Sequence, residues 1–225
     1  DSSTSEPLNL TLNLRGFPSE SEQIWNSTGL TLWPSSHYLC EYLLQNYQDL
    51  LPLALSRSDR VDDGKTIAAG RIDEKTRKIR AVELGSGLGR CGLLLHHLMA
   101  IQRGVGSHIH LTDGDTDTLA QLRDNVIDNM NQDGGPESMA STTNERRHER
   151  HNKLHNVSCH QLIWGSDSME TFCEHHFSKL SETQHPDTTN GHAASPSCVD
   201  LMFGSDLIYA PRVIGPLFET VFKLL

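Results

Sequence analysis

At 225 residues the chain can hold one large domain or two small ones, and its 36% hydrophobic share is low for a compact domain of that length. Twenty-nine acidic against 19 basic side chains leave a formal charge of -10, which argues against a surface built to meet nucleic-acid phosphates. No run of about 18 apolar residues occurs, so no membrane span is indicated.

The five cysteines (Cys40, Cys91, Cys159, Cys173 and Cys198) form no C-x-x-C pair. Cys40 and Cys91 fall in apolar helical patterns, which fits buried free thiols in a reducing compartment, the cytoplasm first and the nucleus second. Apolar residues are spread unevenly, as expected of one core interrupted by polar insertions.

In chain order, Leu8, Leu10, Leu12 and Leu14 alternate with polar residues and predict a half-buried strand. A second short strand is expected at Gly29 to Trp33, closed by Pro34. Ser35 or Ser36 then caps a helix to about Tyr47, with Leu39, Tyr42, Leu43 and Leu50 on its apolar face. Residues 1–54 thus read as a strand and helix extension, and 55–78 as a polar connection.

From residue 79 to 225 strands and helices alternate. Strands are expected at Ile79 to Leu84, His108 to Thr112, Val157 to Trp164 and Val199 to Gly204. Helices are expected at Arg90 to Ile101, Thr116 to Met130 and Pro211 to Leu225, the last opened by a first-turn proline. Residues 131–156 and 175–197 are polar stretches, expected to be mobile surface insertions. The alternation predicts an α/β fold: parallel βαβ units with helices on both faces of one sheet, and a ligand site at the strands' carboxyl ends.

The candidate residues lie at those ends. Glu83-Leu84-Gly85-Ser86-Gly87-Leu88-Gly89 is a glycine loop between strand and helix, which lets a ligand approach the backbone and turns the next helix's N–H groups toward an anion. Gly87 to Gly92 also fits G-x-G-x-x-G, so a dinucleotide reading must be weighed. Counted from Gly85 at the strand's end that pattern fails at Arg90, and Glu83 would repel a pyrophosphate while suiting a cationic cofactor. Asp113 can hold two ribose hydroxyls, and Asp115 is better read as a helix cap. Trp164-Gly165 could flank an adenine or be a core tryptophan with a turn glycine. Asp206 and Tyr209, three residues apart, could face a cationic amine together, or be an N-cap and a packed ring. The 13 histidines include His148, His151 and His155 at helical spacing and His175-His176 after Cys173, but no structural-zinc spacing, so no metal site is assigned.

Thr28-Gly29-Leu30-Thr31-Leu32-Trp33-Pro34, the Glu83 to Gly89 loop, Leu111-Thr112-Asp113, Leu122 to Val126, Leu162-Ile163-Trp164-Gly165 and Ser205-Asp206-Leu207-Ile208-Tyr209 follow one another in that order. The set resembles methyltransferase family 16, the seven-β-strand group with many protein-lysine methyltransferases, over about 8–54, 79–130 and 157–225. The resemblance implies a Rossmann-like class I methyltransferase three-layer sandwich with strand order 3-2-1-4. It implies that Glu83, Gly85 and Gly87 bind the methionine part of S-adenosyl-L-methionine, Asp113 its ribose and Trp164 its adenine, and that Trp33 closes over it. Asp206 and Tyr209 match the family's D-x-x-Y signature beside the target, a lysine ε-amine of a protein substrate. Pro34 stands where the family usually has an aspartate. The family's later strands find no counterpart before Leu225, so the sequence is expected to be incomplete, with one sheet edge uncovered. Methylation of histidine, an N-terminal amine or a small molecule is the nearest alternative. An inactive binding module and a dinucleotide-dependent dehydrogenase stand further off.

Overall fold

In the computed structural model the described residues are 10–17, 28–58, 78–101, 106–131, 156–165, 168–177 and 199–225. Leu8, the connection at 59–77 and nearly all of both polar insertions, with His148, His151 and His155, lie outside them.

Four strands, β1 (Lys78–Glu83), β2 (Gly106–Asp113), β3 (Val157–Gln161) and β4 (Leu201–Phe203), form one parallel sheet in the order β3-β2-β1-β4. The sequence dictates both faces through alternation. Ile79 and Ala81 of β1 and Ile109 and Leu111 of β2 join one core cluster, whereas Val82 joins the other. The first cluster is covered by α1 (Pro34–Ser58), α2 (Arg90–Ile101) and α3 (Thr116–Asn131). The second is covered by α4 (Ser168–Phe177), through Met169, Phe172 and Phe177, and by α5 (Pro211–Leu224), through Leu217 and Leu224. Helices on both faces make the three-layer α/β sandwich. In α2 eight of twelve residues are buried, because it lies between the sheet and α1.

Several sequence expectations are corrected. The N-terminal leucine alternation is not a strand over the described residues 10–15. Leu10, Leu12 and Leu14 do pack on the core, but the backbone bonds to side chains of α3 instead of to a neighbouring strand. Asn129 accepts from the Asn13 amide at 2.9 Å and donates to its carbonyl at 2.7 Å. Asn125 does the same for Arg15, at 2.9 and 3.2 Å. Two carboxamides four residues apart on one helix thus imitate the edge of a sheet, and period-2 burial survives without a partner strand.

The strand expected at Gly29 to Trp33 is a 3-10 turn (Thr28–Leu30) followed by an isolated parallel bridge from Thr31 to Phe17. Pro34 does not stop a strand; it opens α1, where a first-turn proline forfeits no helical hydrogen bond. Ser36 donates back to the Trp33 carbonyl at 2.7 Å, and the helix runs past Tyr47 to Ser58. β3 ends at Gln161, so Trp164 lies in a turn beyond it, and α4, where no helix was foreseen, precedes the second polar stretch and takes in only its first residues, 175–177.

Candidate active site

The carboxyl ends of β1 and β2 are locked together below the glycine loop. Thr112 donates its hydroxyl to the Glu83 carbonyl at 2.7 Å and its amide to Ser86 Oγ at 3.0 Å. The Ser86 amide returns a bond to the Thr112 carbonyl at 2.8 Å. Gly85, Gly87 and Gly89 all take positive φ, between 52° and 85°, a left-handed run that other residues resist.

Glu83, the last residue of β1, is 2% exposed, and its Oε2 accepts from the Gly92 amide in the first turn of α2 at 3.1 Å. The group met by that helix terminus is therefore the protein's own carboxyl. Burial pushes the Glu83 carboxyl up to about 8. Gly92 is required here, since a Cβ would lie 2.6 Å from Glu83 Oε2 and 2.2 Å from Leu111 Cδ2.

Asp113, the last residue of β2, accepts from the Gly87 amide at 3.0 Å on one oxygen and from the Asp115 amide at 3.0 Å on the other. Each oxygen keeps a lone pair for a ligand hydroxyl. Burial raises this carboxyl too. Asp115 caps α3 through the Thr118 amide at 2.7 Å, as its position predicts. The Gly87 amide, given to Asp113, is not free for a pyrophosphate.

An open cleft of about 1050 Å³ collects Trp33, Gly85, Gly87, Asp113, Trp164, Asp206 and Tyr209 in its lining. Glu83 lies beside it, in a small adjoining cavity of about 40 Å³ shared with Trp33 and Asp206. All the sequence-predicted site residues are thus brought together. Trp33 is held by its indole N–H on the Thr28 carbonyl at 2.9 Å, and the Gly29 carbonyl presses against Gly87, so the N-terminal turn sits over the loop. Trp164 lies against Gly85, lines the cleft and packs on the second core cluster, in line with the core reading made of it. Gly165 is a turn glycine with positive φ (69°); it lets Pro216 of α5 approach closely, and its amide donates to Thr220 Oγ1 at 3.0 Å.

Asp206 follows β4 by three residues and is the one non-glycine with positive φ (56°) among the described residues. It is no N-cap, since α5 is preceded by Ala210 without a side-chain cap. It accepts instead from the Ser35 hydroxyl in the first turn of α1, a bond the sequence did not announce. Partial burial raises its carboxyl. Tyr209 is 69% exposed at the cleft's rim.

Among the described residues the lining carries three carboxylates (Asp113, Asp115 and Asp206) and one guanidinium, Arg212. That balance, with a buried carboxyl in Glu83, suits a cationic ligand and opposes an anionic one. A family model described as lysine methyltransferase matches residues 19–183, well over half of the chain. The chain belongs to this family. Among curated proteins none matches at a significant level. Membership makes it a methyltransferase and implies S-adenosyl-L-methionine as the methyl donor. The donor's sulfonium and ammonium fit the carboxylates, and its adenosine fits a cleft walled by Trp164 and Asp113. Asp206 and Tyr209 lie beyond the matched residues.

Proposed function

We propose that the chain methylates a lysine ε-amine of a protein substrate. The observation that carries this reading is the convergence of Trp33, Gly85, Gly87, Asp113 and Trp164 with Asp206 and Tyr209 on one cleft. In the proposal Glu83, Gly85 and Gly87 hold the methionine part of the cofactor, Asp113 its ribose and Trp164 its adenine, while Trp33 covers it. When bound, the cofactor supplies an electrophilic methyl group on a cationic sulfur.

The remaining work falls to Asp206 and Tyr209. A lysine amine, ordinarily protonated up to about pH 10.4, must arrive without its extra proton, because only the neutral form has a lone pair. Leu207, Ile208 and Trp33 give the cleft an apolar wall that disfavours the charged amine. Asp206 has one carboxylate oxygen engaged by Ser35, and the other is available to accept a hydrogen bond from the amine and aim its lone pair. Tyr209 borders the approach. Alignment in a partly dried site supplies the acceleration, and the residues need no strong base. A reducing compartment, cytoplasm or nucleus, belongs to the same proposal and is supported by Cys40 and Cys91, free thiols buried side by side.

Isothermal titration with S-adenosylhomocysteine, beside NADH and the Asp113→Ala variant, tests the cofactor assignment. Micromolar binding of the homocysteine compound alone, lost in the variant, is expected. Label transfer from S-adenosylmethionine to a protein mixture, followed by amino-acid analysis, tests the target. Methyllysine is expected; methylhistidine, or cofactor binding with no transfer, would overturn the lysine reading.

A further inference from the structure

On the sheet face opposite α1–α3, away from the cleft, three histidines from three elements converge. His110 is in β2, His160 in β3 and His176 in the last turn of α4, and one ring nitrogen from each lies within 4.8 Å of the others. The adjoining strands bring the first two together through the Thr112–His160 and His110–Ser158 register. We propose that His110, His160 and His176 form a binding site for a divalent transition metal of the zinc class.

The spacing is the first argument. His110 Nδ1 and His160 Nε2 are 3.2 Å apart. Zinc–nitrogen bonds of about 2.0–2.1 Å at tetrahedral angles put ligand nitrogens about 3.3–3.4 Å from one another. The donor set is the second. Three imidazoles with neither thiolate nor carboxylate select zinc and its borderline neighbours over calcium or magnesium. Three protein ligands leave a fourth position open.

The surroundings are the third. Phe172 and Phe177 of α4 meet His110 edge-on, with ring centroids 5.3 to 5.9 Å away, and make the pocket apolar. Ser158 Oγ lies 3.1 Å from His110 Nδ1, 2.7 Å from His160 Nε2 and 2.9 Å from His108 Nε2. These are the same two nitrogens whose spacing suits the metal, so the hydroxyl would give up its bonds to them, or take the open fourth position, as the ion binds, with His108 behind it. The nearby Arg80 would oppose a cation, but its charge is offset by Asp200 at 3.6 Å.

Such a metal would fasten the end of α4 to β2 and β3. Those strands lead into Asp113 and the Trp164 turn, and α4 begins three residues after Gly165. Occupancy would therefore stiffen one wall of the cleft without entering it. The proposal stands whether or not the target of methylation is lysine.

The test uses the full chain, freed of metal with a chelator and titrated with Zn²⁺ by calorimetry and with Co²⁺ by visible absorption. One equivalent is expected to bind, and Co²⁺ is expected to give the intense bands of a tetrahedral site. His176 is exposed, so His176→Ala should leave the metal-free melting temperature unchanged. Because loss of an outer partner already weakens metal sites 10–100-fold, loss of this ligand should exceed about 100-fold. His160→Gln should behave alike. A variant with His148, His151 and His155 all changed to Ala should bind as the parent does. Absence of stoichiometric binding, unchanged affinity in His176→Ala, or loss in the triple variant overturns the proposal. In the first case the three rings serve only as a hydrogen-bonded cluster around Ser158.

Discussion

Across one cleft, the ends of β1 and β2 form a closed mesh of hydrogen bonds, while the segment after β4 is nearly bare. At the first, Glu83, Ser86 and Thr112 bond to one another, Glu83 Oε2 accepts from the Gly92 amide, and the two oxygens of Asp113 accept from the Gly87 and Asp115 amides. At the second, Asp206 has one hydroxyl partner, and Ile208 and Tyr209 are 60% and 69% exposed. A small ligand of fixed shape can be met by preorganised groups, whose desolvation is offset within the fold. A macromolecular target brings its own atoms, so the groups that meet it are left open until it arrives.

The sharpest way to break the contrast is to crowd the closed end. Gly92→Ala pushes a methyl into Glu83 and Leu111, and the side chains can yield only by leaving the mesh. We expect a loss of about 2–3 kcal/mol, read as a fall in melting temperature of about 4–12 °C. Ile208→Ala at the open end should cost under about 0.5 kcal/mol. Equal losses at the two positions would erase the distinction.

Asn125 is the next test. It is fully buried and bonds Arg15 on both backbone atoms and the Leu88 carbonyl of the glycine loop at 3.1 Å. Asn125→Ala should lose about 1–2 kcal/mol, with faster hydrogen exchange at the Arg15 amide. Unchanged exchange there would mean that the N-terminal segment is held by its leucines alone.

Glu83 makes the contrast dependent on pH. Its folded pKa of about 8 stands above the ordinary value of 4.5, so between those limits the folded state keeps a proton that the unfolded state releases. This group's stabilising contribution is therefore full below about pH 4.5 and is lost as pH rises toward 8, by at most about 1.4 kcal/mol per unit. Glu83→Gln should flatten that slope in melting curves taken from pH 6 to 8.5. Asp206→Asn, at the more exposed end, should not. A cationic ligand beside Glu83 would favour its ionised form, so cofactor binding near pH 7 should release a proton into the buffer.

The legible part of the molecule was the part governed by local rules. β1, α2 and α3 follow from apolar period and glycine spacing, and α2 lies at Arg90–Ile101, where the pattern put it. Glu83, Asp113 and Asp206 were found because strand ends in a parallel sheet converge. The N-terminal strand failed because alternation reports which side is buried, not what satisfies the backbone; Asn125 and Asn129 supply that from 110 residues or more away. α4 was missed because its apolar residues, Met169, Phe172 and Phe177, are few and sit among polar ones. Their partners lie across the sheet, on Val82 and Leu162. Ser35 was read only as a helix cap and Gly92 only as the last glycine of G-x-G-x-x-G; the bond to Asp206 and the fit against Glu83 arise only when separate segments meet.

The smallest expected effect lies at the rim. Tyr209 is exposed and belongs to neither core cluster, so Tyr209→Phe should shift the melting temperature by less than about 1 °C and leave S-adenosylhomocysteine affinity within about twofold. If Tyr209 borders the path of the target amine, as proposed, losing the hydroxyl should lower kcat on a protein substrate while leaving cofactor KM alone. Tyr209→Ala, which removes the ring as well, should lower it further. An affinity change for the cofactor matching that of Asp113→Ala would place Tyr209 with the closed end instead, and the division of the cleft would have to be redrawn between Asp206 and its neighbour.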